Sequence, residues 1–206
     1  MNTALTRLVE RAKGPLGPPV EVEFGGGLPG QLGRLLSRVN GFALFDYGVQ
    51  TFHVGPSGLG PELGAWNAAG TWKDAYGELA DGLLCFAQDL FGVQFALEEN
   101  RRVVTFDPET AERSVIGSDL DSWADWLLEE PDVRGARSFA KLWQDTYGAL
   151  GHDDRLLPVT SFVLGGEYGV ENLVVRDGVT AMRIRGPIAR QLHDLPDGTP
   201  ISFTTA

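Results

Sequence analysis

The sequence predicts an α+β chain. Two observations carry that expectation: a run of short strand candidates separated by turns between residues 83 and 116, and amphipathic helices before and after it. The strand candidates are Leu83–Gln88, Val93–Glu99, Arg102–Asp107 and Arg113–Ile116. Each is short and bounded by turn residues, and "DPET" at 107–110 continues the run as a meander.

The remaining elements follow in order. Residues 1–13 read as a short helix, and "GPLGPP" (14–19) breaks it. "VEVEF" (20–24) alternates like a strand. "LPGQLGRLLSRVNG" (28–41) places Leu28, Leu32, Leu35, Leu36 and Val39 on one helical face, and Gly41 suits a left-handed stop. Residues 42–55 read as irregular structure leading into a strand, and the Gly-rich 56–82 as a loop with a helical turn near Trp72–Glu78. "SDLDSWADWLLEE" (118–130) is a helix with Ser118 as its expected N-cap and Asp121 three residues on. Another helix covers Arg137–Leu150. In "ENLVVRDGVTAMRIRG" (171–186), Asp177-Gly178 is the two-residue signal of a hairpin. Pro187 then suits the first turn of a short helix, and "LPDGTPISFTT" (195–205) reads as a turn and a final strand.

The stretch "FAQDLFGVQFAL" (86–97) sets one carboxylate, Asp89, inside an apolar run. Asp89-Leu90-Phe91-Gly92 has Asp at the first and Gly at the fourth position of a type I turn. Asp89 is therefore expected to cap backbone N–H groups of a hairpin turn rather than act as a catalytic acid. The turn could also lie at the rim of a partner surface, with Leu90 and Phe91 at its tip.

Composition narrows the function classes. A chain of 206 residues with 43% hydrophobic and 22% charged residues is long enough to bury a core and reads as globular. Cys85 is its one cysteine, which excludes an internal disulfide and fits a reducing, cytoplasmic location. The expectation is also of no signal peptide and no membrane span. Twenty-eight acids against 17 Lys and Arg leave a net charge of −11. That charge repels a phosphate backbone, so direct nucleic-acid binding is not expected, whereas a basic protein is attracted.

The motifs that would carry catalysis are not matched. His53, His152 and His193 are far apart, so no metal is expected, and "GHDD" (151–154) reads as a solvated loop. "GPSGLGPELG" (55–64) matches neither phosphate-binding glycine pattern, and Ser57 lacks the second glycine of a nucleophile elbow. Cys85, among Leu83, Leu84 and Phe86, reads as a buried structural thiol. Neither catalytic residues nor cofactors are expected. Trp126, at the edge of its helix's apolar stripe, has two readings: a wide packed face, or an aromatic anchor among acids. Trp66 and Trp72, with Asp74, Glu78 and Asp81, invite the same pair. With Asp89, Leu90 and Phe91 these form the candidate partner-binding set.

The order of these segments resembles the SUKH superfamily, bacterial toxin-immunity proteins related to a fungal cell-wall-synthesis regulator. The resemblance rests on "LPGQLGRLLSRVNGFALF" (28–45), the loop bearing Trp66 and Trp72, "LLCFAQDLFGVQFAL" (83–97) and "VVTFDPETAERSVIGSDLDSWADWLL" (103–128). It departs at Val93, where many relatives carry a polar residue after the turn glycine. It implies one domain with helices packed around a central, mostly antiparallel sheet, a core over 20–135, and a C-terminal extension over 151–206 of hairpin, short helix and strand. It implies a non-enzymatic protein that binds and neutralises a cognate secreted toxin, such as a nuclease. With the net negative charge, the expectation is of binding to a basic toxin domain through an acidic surface, by a monomer or weak dimer. The alternatives are a cytosolic regulator or scaffold that binds host proteins, and a hydrolase that uses acidic residues.

Overall fold

The computed structural model describes residues 3–196, 198 and 199. The architecture is α+β, as expected. A six-stranded antiparallel sheet runs in strict chain order: β1 (Ala43–Leu44), β2 (Val49–Thr51), β3 (Leu83–Asp89), β4 (Gln94–Glu98), β5 (Arg102–Phe106) and β6 (Arg113–Gly117). The four strands expected between 83 and 116 are therefore present within a residue or two of their predicted ends. A separate antiparallel pair, β7 (Asp154–Pro158) and β8 (Leu173–Asp177), forms a second small sheet.

Helices cover both faces of the large sheet. On one face lie α1 (Ala4–Val9), α2 (Gly27–Arg38) and α5 (Leu120–Glu129). Trp123 of α5 meets Phe86 and Phe95 edge-on, with ring centroids 5.1 and 5.8 Å apart. The Leu5 amide donates to Asp121 Oδ1 at 2.8 Å and the Leu120 amide to Gln31 Oε1 at 3.1 Å, tying α1 and α2 to α5. On the other face lie α3 (Leu63–Asn67), a π-turn at Ala69–Lys73, α4 (Asp74–Tyr76) and a 3-10 turn at Gly77–Ala80. Here Phe106 packs on Trp72 and Tyr76, with centroids 6.0 and 5.1 Å apart. All five residues of β4 are buried because both faces are covered. Burial also pushes the Cys85 thiol up to about 12, as befits a structural thiol. Helix α6 (Arg137–Tyr147) belongs to a second, smaller apolar cluster with Leu90, Phe91, Leu156 and Leu173.

Several local expectations are corrected. "VEVEF" is extended but unpaired; its Val22 amide donates to Ser37 Oγ at 2.9 Å, so α2 takes the bond a neighbouring strand would. The cap of α5 is Asp119, whose Oδ1 accepts the Ser122 amide at 2.7 Å, not Ser118. The Gly-rich 56–82 is largely short helices rather than open loop. Helix α6 ends at Tyr147, ahead of Gly148 at φ +100°. The largest difference is at Asp177-Gly178. There is no hairpin: β8 ends at Asp177, which N-caps the long helix α7 (Gly178–Leu192) by accepting the Thr180 amide at 2.9 Å. Gly178, Ala181, Met182, Arg185, Gly186, Ala189 and Leu192 are its buried stripe. Pro187 sits inside this helix rather than at its start. The partner of β8 is β7, which precedes it. Residues 200–205 of the expected final strand lie outside the described residues.

Helix α7 crosses α4 so closely that a Cβ at Gly186 would lie 2.7 Å from Ala75 Cβ and 2.9 Å from its carbonyl oxygen. Gly186→Ala tests this contact. In an open helix the change gains about 1 kcal/mol of propensity. Here the clash dominates, and a net loss of about 1–3 kcal/mol is expected as a lower urea midpoint. An unchanged or higher midpoint would show that the crossing is looser than described.

Candidate functional site

The sequence-predicted site residues do not gather on one surface. Trp66 and Trp72 are core residues, 3% and 0% exposed, because their segment folds over the sheet instead of standing away from it. The Trp66 indole donates to Gln94 Oε1 at 2.8 Å. Leu90 and Phe91 are likewise buried, at 0% and 7% exposure, so the hairpin tip is not a rim. Asp74, Glu78 and Asp81 are exposed, and Asp74 pairs with Arg183 of α7 at 3.1 Å. Trp126 is half-buried against Phe95, and Arg134 lies over its ring at 4.9 Å. It sits on the opposite face of the sheet from the other two tryptophans.

Asp89 does what its turn chemistry predicts. Its Oδ1 accepts the amides of Phe91 at 2.9 Å and Val93 at 2.8 Å. The turn is then covered by the C-terminal part of the chain. Leu156 of β7 donates its amide to the Leu90 carbonyl at 3.0 Å, and Arg185 of α7 donates to the Phe91 carbonyl at 2.6 Å. Burial pushes the Asp89 carboxyl up to about 6, against the opposing pull of the two amides and of Arg185 and Arg155.

Both arginines are themselves buried. Burial draws Arg155 down to about 10, so it stays protonated at neutral pH. Arg155 lies over a row of buried glutamines that crosses β2, β3 and β4 through the paired positions Gln50, Gln88 and Gln94. It donates to Gln50 Oε1. Gln88, its amide turned so that Oε1 faces the guanidinium, accepts from Arg155 at 3.0 and 3.1 Å. This polar seam joins the large sheet to the small one.

Beside the seam lies an open cleft of three adjoining hollows, which sequence reasoning did not anticipate. The largest, about 560 Å³, is walled by Leu157, Val159, Val174, Ile184 and Ile188. A second, about 490 Å³, contains Val163, His193 and Leu195. The third, about 230 Å³, contains Phe91, Phe162, Tyr168, Asp107, Glu109 and Glu112. Glu109 and Arg185 belong to both the first and the third. Glu109 is buried; its Oε2 accepts the Val163 amide at 2.9 Å, while its Oε1 has no partner among the described residues. The rim is apolar: Val159, Val163, Tyr168, Ile184 and Leu195 are half of the ten large hydrophobic side chains exposed among the described residues. The one sequence signal near it was "DPET", read only as a turn. It is one, with Asp107 Oδ1 accepting the amides of Glu109 and Thr110. The environment of Glu109 comes from Val163, 54 positions away.

No family model and no curated protein matches the chain. Among solved structures it is similar to the crystal structure of Atu4351 from Agrobacterium tumefaciens, with a TM-score of 0.52 and 13% identity over 91% of this chain and 89% of that one. At that identity the likeness shows the fold alone.

Asp89 sets a pH dependence. Its carboxyl is raised from 3.8 to about 6 in the fold, so the native state holds the proton more tightly than the unfolded chain. Stability from this group is highest below pH 4 and falls as pH rises towards 6, by about 3 kcal/mol in total. Asp89→Asn keeps an acceptor for both amides and removes the titration. Urea denaturation of the two proteins is expected to show this: the wild type loses about 2 kcal/mol more than the variant between pH 4 and 7.5. Parallel stability curves would contradict it. Asp89→Ala, which abandons both amides and also removes the titration, is expected to cost about 2–4 kcal/mol at pH 4 and less at pH 7.5, where the wild type has lost the contribution of its protonated carboxyl.

Proposed function

We propose that this chain is an immunity-type binding protein, whose cleft face covers and neutralises a basic toxin domain such as a nuclease. The observation that carries the reading is the apolar rim described above, set in a chain with a net charge of −11. Exposed carboxylates at Glu112, Glu167, Glu171 and Asp194 flank the rim, and Arg176 is the exposed base in the largest hollow. An apolar, aromatic centre with an acidic surround is the anatomy of a protein interface for a basic partner. The resemblance of the segment order to the SUKH superfamily supports the same reading. The partner surface then lies on the C-terminal extension, not on the Trp66–Asp81 segment. No step of the proposal requires a cofactor or a catalytic group.

The test is binding to the product of the gene adjacent to the one for this chain. Association is expected to slow about tenfold between 50 and 500 mM salt, with dissociation changed little. Tyr168→Ala, at the exposed rim, is expected to weaken binding by tenfold or more, as a central aromatic anchor does. Absence of binding, or binding indifferent to both salt and Tyr168, would overturn the proposal.

A further inference from the structure

We infer that the third hollow is a subsite for an arginine side chain of the protein partner, with Glu109 Oε1 as its acceptor and the Phe162–Tyr168 pair as its wall. The inference rests on the binding reading above and assigns the chemistry of one contact within it.

Three observations lead here. The first is the unpartnered oxygen. Glu109 is 5% exposed, and one of its two carboxylate oxygens receives no hydrogen bond from the described residues. A buried acceptor left open is costly, and the residue that carries it is one of those lining the hollow. A donor brought in by a partner would satisfy it. The second is the wall. Phe162 and Tyr168 stack face to face, with centroids 3.9 Å apart and planes 11° from parallel. Phe91 stands edge-on to both, at 5.7 and 5.3 Å. A planar guanidinium stacks on such a surface while donating in its own plane to a carboxylate; an ammonium can do only the second well. The third is charge. Asp107, Glu109 and Glu112 are in the hollow against one base, Arg185.

Arg185 does not fill the role itself. Its Nη1 donates to the Phe91 carbonyl and its Nε to the Ala181 carbonyl, and its Nη2 lies against Met182 Sδ at 3.9 Å. Among the described residues it forms no ion pair with Glu109. The hollow is still acidic on balance, with Asp107, Glu109 and Glu112 against Arg185. An anion is therefore disfavoured in the hollow. A divalent metal is not indicated either, because the three carboxylates form no ligand cluster among the described residues. Size points the same way. The hollow holds about 230 Å³, below the ~300–1,000 Å³ of small-molecule sites, and so suits a side chain rather than a whole metabolite.

The test uses the full chain, isotopically labelled for amide NMR, and N-acetyl-arginine amide as the probe. The probe is expected to shift the Val163 amide, which reports on Glu109, together with Tyr168. N-acetyl-glutamine amide is expected to leave both in place. Glu109→Gln keeps an oxygen for Val163 but lacks the charge, and is expected to raise the apparent Kd for the probe at least fivefold; Tyr168→Ala is expected to do the same. Retention of the remaining amide spectrum shows that each variant is folded. No localised shift, equal shifts with the glutamine amide, or equal affinity in Glu109→Gln would overturn the subsite. The same variants measured against the adjacent gene product separate the two ideas. Arginine binding without toxin binding removes the proposed function and keeps the subsite. Toxin binding indifferent to Glu109→Gln removes the subsite from the interface and keeps the function.

Discussion

One carboxylate oxygen, Asp89 Oδ1, accepts the amides of Phe91 and Val93, and both halves of the chain are built on the turn it holds. A surface hairpin would leave its backbone groups to water. This one is buried, so each group needs a protein partner. The Leu90 amide goes to the Gly48 carbonyl, between β1 and β2. The Leu90 carbonyl takes the Leu156 amide of β7, and the Phe91 carbonyl takes Arg185 of α7. Four consecutive residues thus join the large sheet, the small sheet and the last helix. Gly92, at φ +85°, completes the turn against the Arg185 guanidinium, where a Cβ would come within 2.6 Å of Nη2.

Charge explains why the seam is polar. Arg155 and Arg185 are both buried, and Asp89 is the carboxylate whose charge acts on both. Removing one partner from such a set leaves an uncompensated buried charge, which costs more than the set contributes when complete. The glutamine row spreads that charge into neutral dipoles. It also specifies register: Gln50, Gln88 and Gln94 stand opposite one another, so a slip of one residue in β3 would turn Gln88 away from Arg155. An apolar seam of the same area would bind as well but would tolerate more than one docking.

What was legible in the sequence was local. The leucine stripe of α2, the meander and the Asp89 turn depend on neighbours within a few positions, and the structure has all three. The failures were long-range. Asp177-Gly178 is equally good as a hairpin turn and as a helix start. The choice was made by a buried stripe of small residues, Gly178, Ala181, Gly186 and Ala189, which packs against α4 and its neighbours but carries little hydrophobic signal of its own. Trp66 and Trp72 stood in a Gly-rich, acidic segment, and composition alone cannot say that such a segment lies down on a sheet. The cleft was invisible for the same reason, since Glu109 and Val163 meet only after the small sheet docks.

The cleft therefore inherits its shape from the turn. Its walls come from the β5–β6 connection at Asp107–Glu112, the segment after β7, the strand β8, the helix α7 and the hairpin tip at Phe91. The first and the last of these are placed by the large sheet. The others are held through the Asp89–Arg155–Arg185 seam and the smaller of the two apolar clusters. A small cluster opens at lower free energy than a large one, so this part of the chain is the natural place for local opening. A lesion in the seam would then disturb the cleft while the six-stranded sheet stays folded. Asp89 can thus influence the shape of the cleft without lining it. The acid in the middle of "FAQDLFGVQFAL" is a positioning residue, and the surface it positions is on the far side of the seam.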